Sequence, residues 1–156
     1  MKSILISFLL FISYDLFACT CGSIPKIDKQ AVVNAKDIFI GKVIRIESND
    51  NQSTKITFQI AERLKTDSTA QISIFTGLDG ADCGLNIKEG QEWYIFTSNV
   101  NGKSWAGLCS RSALLSEHSI PPNSYRKKYY RQAVRQYKRD KARAQREIKF
   151  IHESQL

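Results

Sequence analysis

The middle of the chain alternates between hydrophobic and polar positions in short runs separated by polar or glycine-bearing breaks. From Asp37 to Glu47, Ile38, Ile40, Ile44 and Ile46 alternate against Lys42 and Arg45, the period of a half-buried strand. Gly41 interrupts this run and predicts a bulge or sharp bend. A polar turn over 48–53 leads to a second strand, Thr54 to Leu64, with Ile56, Phe58 and Ile60 on one face, so the two form a hairpin. Ala70 to Thr76 gives a third strand through Ile72 and Ile74, and the aromatic-rich run Glu92 to Ser98 a fourth. Asn101-Gly102 is a two-residue hairpin signal, and it leads into a fifth strand, Lys103 to Leu108, that ends at Cys109. Ahead of the strands, Ile27, Ala31 and Ala35 are spaced by four with Asp28 placed to cap them, which predicts one short helix.

Beyond Pro121-Pro122 the period changes. No glycine or proline occurs from Ser124 to His152, and Tyr125, Tyr129, Ala133 and Tyr137 recur every four residues, with Val134, Ile148 and Ile151 extending the stripe. This predicts a long amphipathic helix capped by Ser124. Five short strands with bends and an early helix predict a mainly β fold, a five-stranded Greek-key barrel like the oligonucleotide/oligosaccharide-binding (OB) fold. Residues 1–18 read as a signal peptide: Lys2 precedes the apolar run Ile4 to Ile12, which is too short to span a bilayer. The expected organisation is a signal over 1–18, a barrel domain over 19–119 and a basic helical tail over 120–156.

Charge sharpens the picture of the tail. The chain of 156 residues has a formal net charge of +8. Residues 1–122 carry 12 basic and 12 acidic side chains, whereas residues 123–156 carry 11 and 3. Arg126, Lys127, Lys128, Arg131, Arg135, Lys138 and Arg139 are therefore candidates for contact with an anionic glycan or membrane surface. Nucleic acid is not expected as a partner of an exported chain. The sequence contains no nucleophile elbow, phosphate-binding Walker loop or HExxH motif, and His118 and His152 stand apart from metal-ligand spacings. The expectation is a binding protein with no cofactor, no metal of its own and no enzymatic activity. Asn51-Gln52-Ser53 forms a glycosylation triplet.

All four cysteines, Cys19, Cys21, Cys83 and Cys109, follow the leader. An even number in a small exported domain predicts two disulfides. Cys19 and Cys21 cannot comfortably bond to each other across one residue, but in an extended segment their side chains share a side. One then reaches Cys83 and the other Cys109. Each bridge closes a loop of more than sixty residues and contributes up to about 4 kcal/mol in the chain-entropy account, the second less because the loops overlap. A covalent staple for a modest core is the simplest role; a four-cysteine zinc site fits the spacing and the compartment less well.

Four segments together carry a resemblance: Cys19-Thr20-Cys21 after the leader, Ala35 to Val43, Asp82-Cys83-Gly84, and Gly107-Leu108-Cys109-Ser110-Arg111. Over about 19–117 the chain resembles the superfamily of netrin-like domains and tissue inhibitors of metalloproteinases. The resemblance implies an OB-type barrel, disulfides Cys19–Cys83 and Cys21–Cys109, and a mode of action. In that mode the amino group and carbonyl of Cys19 chelate the catalytic zinc of a metalloprotease and Thr20 enters its specificity pocket, so that Cys19, Thr20 and Cys21 form the inhibitory edge. The chain has no cysteines for the family's third barrel disulfide, and the cationic helix stands in place of its cysteine-rich carboxyl-terminal module. Leu16-Phe17-Ala18-Cys19 also resembles a bacterial lipoprotein cleavage box, which implies the alternative of a non-inhibitory surface module anchored by lipid at Cys19. Lipid on the sulfur excludes a disulfide there.

Overall fold

The computed structural model describes residues 19, 21–49, 53–68, 70–78, 83–116 and 127–154. The expected signal over 1–18, Thr20, Asn51, Gln52, His118 and the span 124–126 lie outside the described residues, as do the side chains of Lys127, Lys128 and Tyr129. Helix α1 is Lys29–Asn34, followed by strands β1 (Ile38–Asn49), β2 (Ser53–Lys65), β3 (Gln71–Thr76), β4 (Glu92–Phe96), β5 (Ser98–Val100), β6 (Lys103–Trp105) and β7 (Ala113–Leu114), and then by helix α2, Lys127–Glu153. The fold is mainly β: one curled sheet in the order β5-β6-β3-β2-β1-β4-β7.

The sheet has seven strands where the hydrophobic pattern predicts five. The run from Glu92 to Ser98 breaks at Thr97, whose amide donates to the Asp37 carbonyl at 2.9 Å while its hydroxyl accepts from the Asp37 amide at 2.9 Å. This leaves Ser98–Val100 as a separate strand that pairs with β6 across the Asn101-Gly102 turn. Strand β7 is only two residues long and has no period to detect, yet it pairs with Trp93 and Tyr94 of β4.

Strand β1 is longer than the pattern suggests and less regular. Its pairing with β2 shifts register at three points, one of them between Ile40 and Gly41. A β-carbon on Gly41 would lie 3.0 Å from the Gln59 carbonyl oxygen, so the bend needs a residue without one. Across the shifts Phe39, Val43 and Ile46 face the main core, Ile38 and Ile40 the opposite side, and Ile44 is left 40% exposed. Phe39, Val43, Ile56, Phe58, Ile72, Ile74, Trp93 and Ile95 fill the concave side of the sheet. The opposite faces of β1 and β4 pack through Ile38 and Tyr94 against Ile27, Val32, Ala35, Ala144 and Ile151, so both strands are buried on two sides.

Asp28 caps α1, accepting a hydrogen bond from the Ala31 amide at 2.7 Å. The other end is closed by Lys65, which donates to the carbonyls of Val32, Val33 and Ala35. Beside it, the buried Asp37 carboxylate accepts from the hydroxyls of Thr66 and Ser104, tying the start of β1 to the end of β2 and to β6.

The long helix is docked from Tyr137 to His152. Ala144 and Ile151 are buried, and Tyr137 and Ile148 pack partly. Tyr137 donates to the Ser116 carbonyl at 2.8 Å, and Lys141 to that of Leu115 at 2.6 Å. Glu147, 3% exposed, receives Arg111 at 2.7 Å, Arg143 at 3.5 Å and the Tyr94 hydroxyl at 3.2 Å. Ala133, part of the expected apolar stripe, is exposed, because the contact begins one turn later. Among the described residues every buried side-chain nitrogen and oxygen has a hydrogen-bond partner.

Glu147→Ala is expected to lower the free energy of unfolding by about 3–5 kcal/mol, because it strands two part-buried guanidinium groups. Denaturant unfolding followed by tryptophan fluorescence reads the loss. Burial, and then the adjoining Glu147 carboxylate, push the Tyr94 phenol pKa well above its ordinary value. Below an unfolded-state pKa of about 10 the phenol is neutral in both states; above it only the unfolded chain ionises, and stability falls by about 1.4 kcal/mol per pH unit. Tyr94→Phe is expected to remove that contribution to the alkaline slope, as measured by unfolding at pH values on either side.

Candidate functional site

Strands β3 and β6 run parallel, with Phe75 opposite Trp105, and their carboxyl ends therefore lie at the same rim of the sheet. The segments that leave those ends carry Cys83 and Cys109. The Ala106 amide donates to the Phe75 carbonyl at 2.9 Å, and the Leu85 amide to the buried Thr76 hydroxyl at 2.9 Å. Between the two segments the Leu108 amide donates to the Cys83 carbonyl at 2.6 Å. Cys83 itself sits at φ 62°, in the left-handed region that disfavours side chains. A β-carbon on Gly84 would come within 2.2 Å of the Gly77 carbonyl oxygen, so the loop leaving β3 and the strand of chain after Cys83 can close only around a glycine.

The amino-terminal segment is fastened onto this paired rim. Cys19 is joined to Cys83 with a Cα–Cα distance of 5.6 Å, and Cys21 to Cys109 at 5.2 Å. Cys19 is half-buried, while Cys21, Gly22 and Ser23 are exposed. Leu78 and Leu108, 36% and 51% exposed, present apolar surface from the two rim loops. Beneath the segment after Cys21 runs a groove of about 830 Å³ lined in part by Ile24, Phe96 and Trp105.

No family model matches the chain, and no curated protein matches it. Two disulfides indicate an extracytoplasmic environment. Among the described residues no helix is long and apolar enough to cross a membrane. Likewise no cluster of three or more His, Cys, Asp or Glu residues that could hold a metal occurs there.

The structure thus brings Cys19, Cys21, Cys83 and Cys109 together at one rim. Thr20 falls outside the described residues. Of the cationic candidates, Arg131, Arg135, Lys138 and Arg139 are exposed on α2, whose backbone includes Lys127 and Lys128; Arg126 lies outside the described residues. They are not part of the rim. Arg111 connects the two regions. Two residues past Cys109, it binds Glu147 through its side chain and accepts from Arg143 at 2.8 Å through its carbonyl. Nothing in the local sequence around Arg111 marks this contact, since its partner is 36 residues away.

Gly84→Ala is expected to destabilise the protein by about 1–3 kcal/mol, the range for forcing a methyl group into filled space. Leu108→Ser, at an exposed position, is expected to stay within about 0.5 kcal/mol of the parent. Denaturant midpoints of the oxidised proteins compare the two.

Proposed function

We propose that the protein is an exported member of the netrin-like and metalloproteinase-inhibitor superfamily, with a barrel of OB type, and that it inhibits zinc metalloproteases through its amino-terminal edge. The observation that carries this reading is the double fastening of Cys19 and Cys21 to neighbouring loops of one rim. Once processing frees the α-amine of Cys19, that amine and the Cys19 carbonyl oxygen can close a five-membered ring with a metal ion. The fastened backbone has little freedom left to lose on binding, which removes an entropic cost that a floppy terminus would bear. An α-amine titrates near ~7.7–8.0, so a zinc ion readily displaces its proton at neutral pH. Thr20 would then follow the chelating residue into the specificity pocket, and the exposed Leu78 and Leu108 of the two rim loops supply apolar surface for the partner. The order of the four motif segments, and the pairing of Cys19 with Cys83 and of Cys21 with Cys109, support membership of the superfamily. A lipid-anchored module would need the Cys19 sulfur that here bonds to Cys83.

The test compares protein that begins at Cys19 with the same protein carrying an added Ala residue ahead of it, against a panel of zinc metalloproteases. The Cys19 form is expected to inhibit at least one protease, and the extended form to do so about a hundredfold more weakly or worse, a loss of roughly 3 kcal/mol of binding. Inhibition should also weaken as pH falls below about 7, where the amine holds its proton. Equal inhibition by both forms, or none by either, would sink the proposal. A diacylglyceryl mass increment on the exported protein would replace it with the anchored module.

A further inference from the structure

The outward face of α2 carries an electrostatic arrangement that the fold itself does not use. At 100° per residue, Arg131, Arg135, Lys138, Arg139, Arg146 and Lys149 fall on the side opposite Ala144 and Ile151, and all six are exposed. They extend over about 27 Å of helix at 1.5 Å per residue. The acids of α2 do little to neutralise them. Asp140 and Glu147 pair with Arg143 on the docked side, and Glu153 meets only Lys149, at 3.7 Å. Arg139 donates to the Gln136 amide oxygen, an uncharged partner. Arg131, Arg135, Lys138 and Arg146 make no ion pair among the described residues.

This arrangement works against the helix. Arg131 and Arg135, and likewise Arg135 and Arg139, are like charges one turn apart, which destabilises a helix. The first turn contains no acid to complement the helix dipole, and the cations begin at that end. An external anion would offset both penalties.

We infer that the outward face of α2 is a docking surface for a linear polysaccharide bearing sulfate or carboxylate groups. A straight row of cations matches a polymer with anions along its length. A bilayer fits less well, because a helix that lies in a membrane surface needs its apolar face free to enter the lipid. Here that face, through Tyr137, Ala144, Ile148 and Ile151, is packed on the sheet. Arg139 and Arg146 also border a groove of about 940 Å³ between α2 and the sheet, and exposed Lys88 stands on its other side, giving a chain of sugars a second flank of positive charge. The inference does not rest on the inhibitory reading, since none of these side chains belongs to the amino-terminal edge.

The experiment measures binding of the purified exported protein to heparin, polygalacturonate, neutral dextran and vesicles containing phosphatidylglycerol, over a range of sodium chloride concentrations. Heparin or polygalacturonate is expected to bind at low salt and to release as salt rises, and dextran not to bind. Replacing four charges together, by Arg131→Gln, Arg135→Gln, Lys138→Gln and Arg146→Gln, is expected to weaken binding about tenfold or more. Glutamine keeps a helix propensity close to that of Lys and Arg, and circular dichroism checks that α2 persists. Arg131→Lys, Arg135→Lys and Arg146→Lys together should retain binding, which guards against a folding defect. The comparison set Lys26→Gln, Lys29→Gln, Lys42→Gln and Arg45→Gln removes as much charge elsewhere and should change binding less than about twofold. The inference is overturned if neither polymer binds, if the comparison set weakens binding as much, or if vesicles bind and polymers do not.

Discussion

The parallel contact of β3 with β6 is the constraint on which the amino-terminal edge depends. Consecutive antiparallel strands exit at alternate ends of a sheet, and two cysteines leaving such strands would face opposite rims. Phe75 beside Trp105 places two exits at one rim, and the Leu108 amide on the Cys83 carbonyl holds them in contact. Only with that rim formed can a Cys-x-Cys segment, whose side chains project to one side, be fastened at both residues without bending. The glycine at position 84 and the left-handed backbone of Cys83 are the local accommodations to this closeness.

The helix α2 is bound into the same region by a buried carboxylate. Glu147 collects Arg111, Arg143 and the Tyr94 hydroxyl, and Arg111 lies just beyond Cys109. A buried ion pair adds little net stability over an apolar contact of similar volume, but losing one partner is costly, so such a cluster fixes one position of a helix more than it strengthens it. The consequence is an orientation: one face of α2 meets the sheet, and the uncompensated cations are turned outward.

Much of the sheet was legible because its side chains alternate. Ile56, Phe58, Ile72 and Ile74 lie in the core where a two-residue period puts them, and Asp28 caps the helix its position suggests. What escaped detection depended on distance or brevity. Strand β7 is two residues long, and the split of β4 from β5 comes from Thr97 bonding to Asp37, sixty residues away. The register shifts in β1 exchanged Ile44 for Val43 in the core, which no strict alternation foresees. Of the rim, the four cysteines were plain in the sequence, but the loops that carry two of them meet only through a parallel pairing that leaves no local signal. The cationic face was visible as composition; its separation from the docked face required Glu147 and Ala144 to be placed.

The fastening of the amino terminus also sets an order of events in time. Cys19 and Cys21 are synthesised early, and their partners follow 64 and 88 residues later. At about 5–20 residues per second, these thiols wait on the order of seconds before a correct partner exists. During that interval the only cysteine within reach of either is its strained neighbour across one residue. A segment made early is therefore locked only after most of the sheet has followed it, and oxidising machinery that acts too soon has nothing native to join.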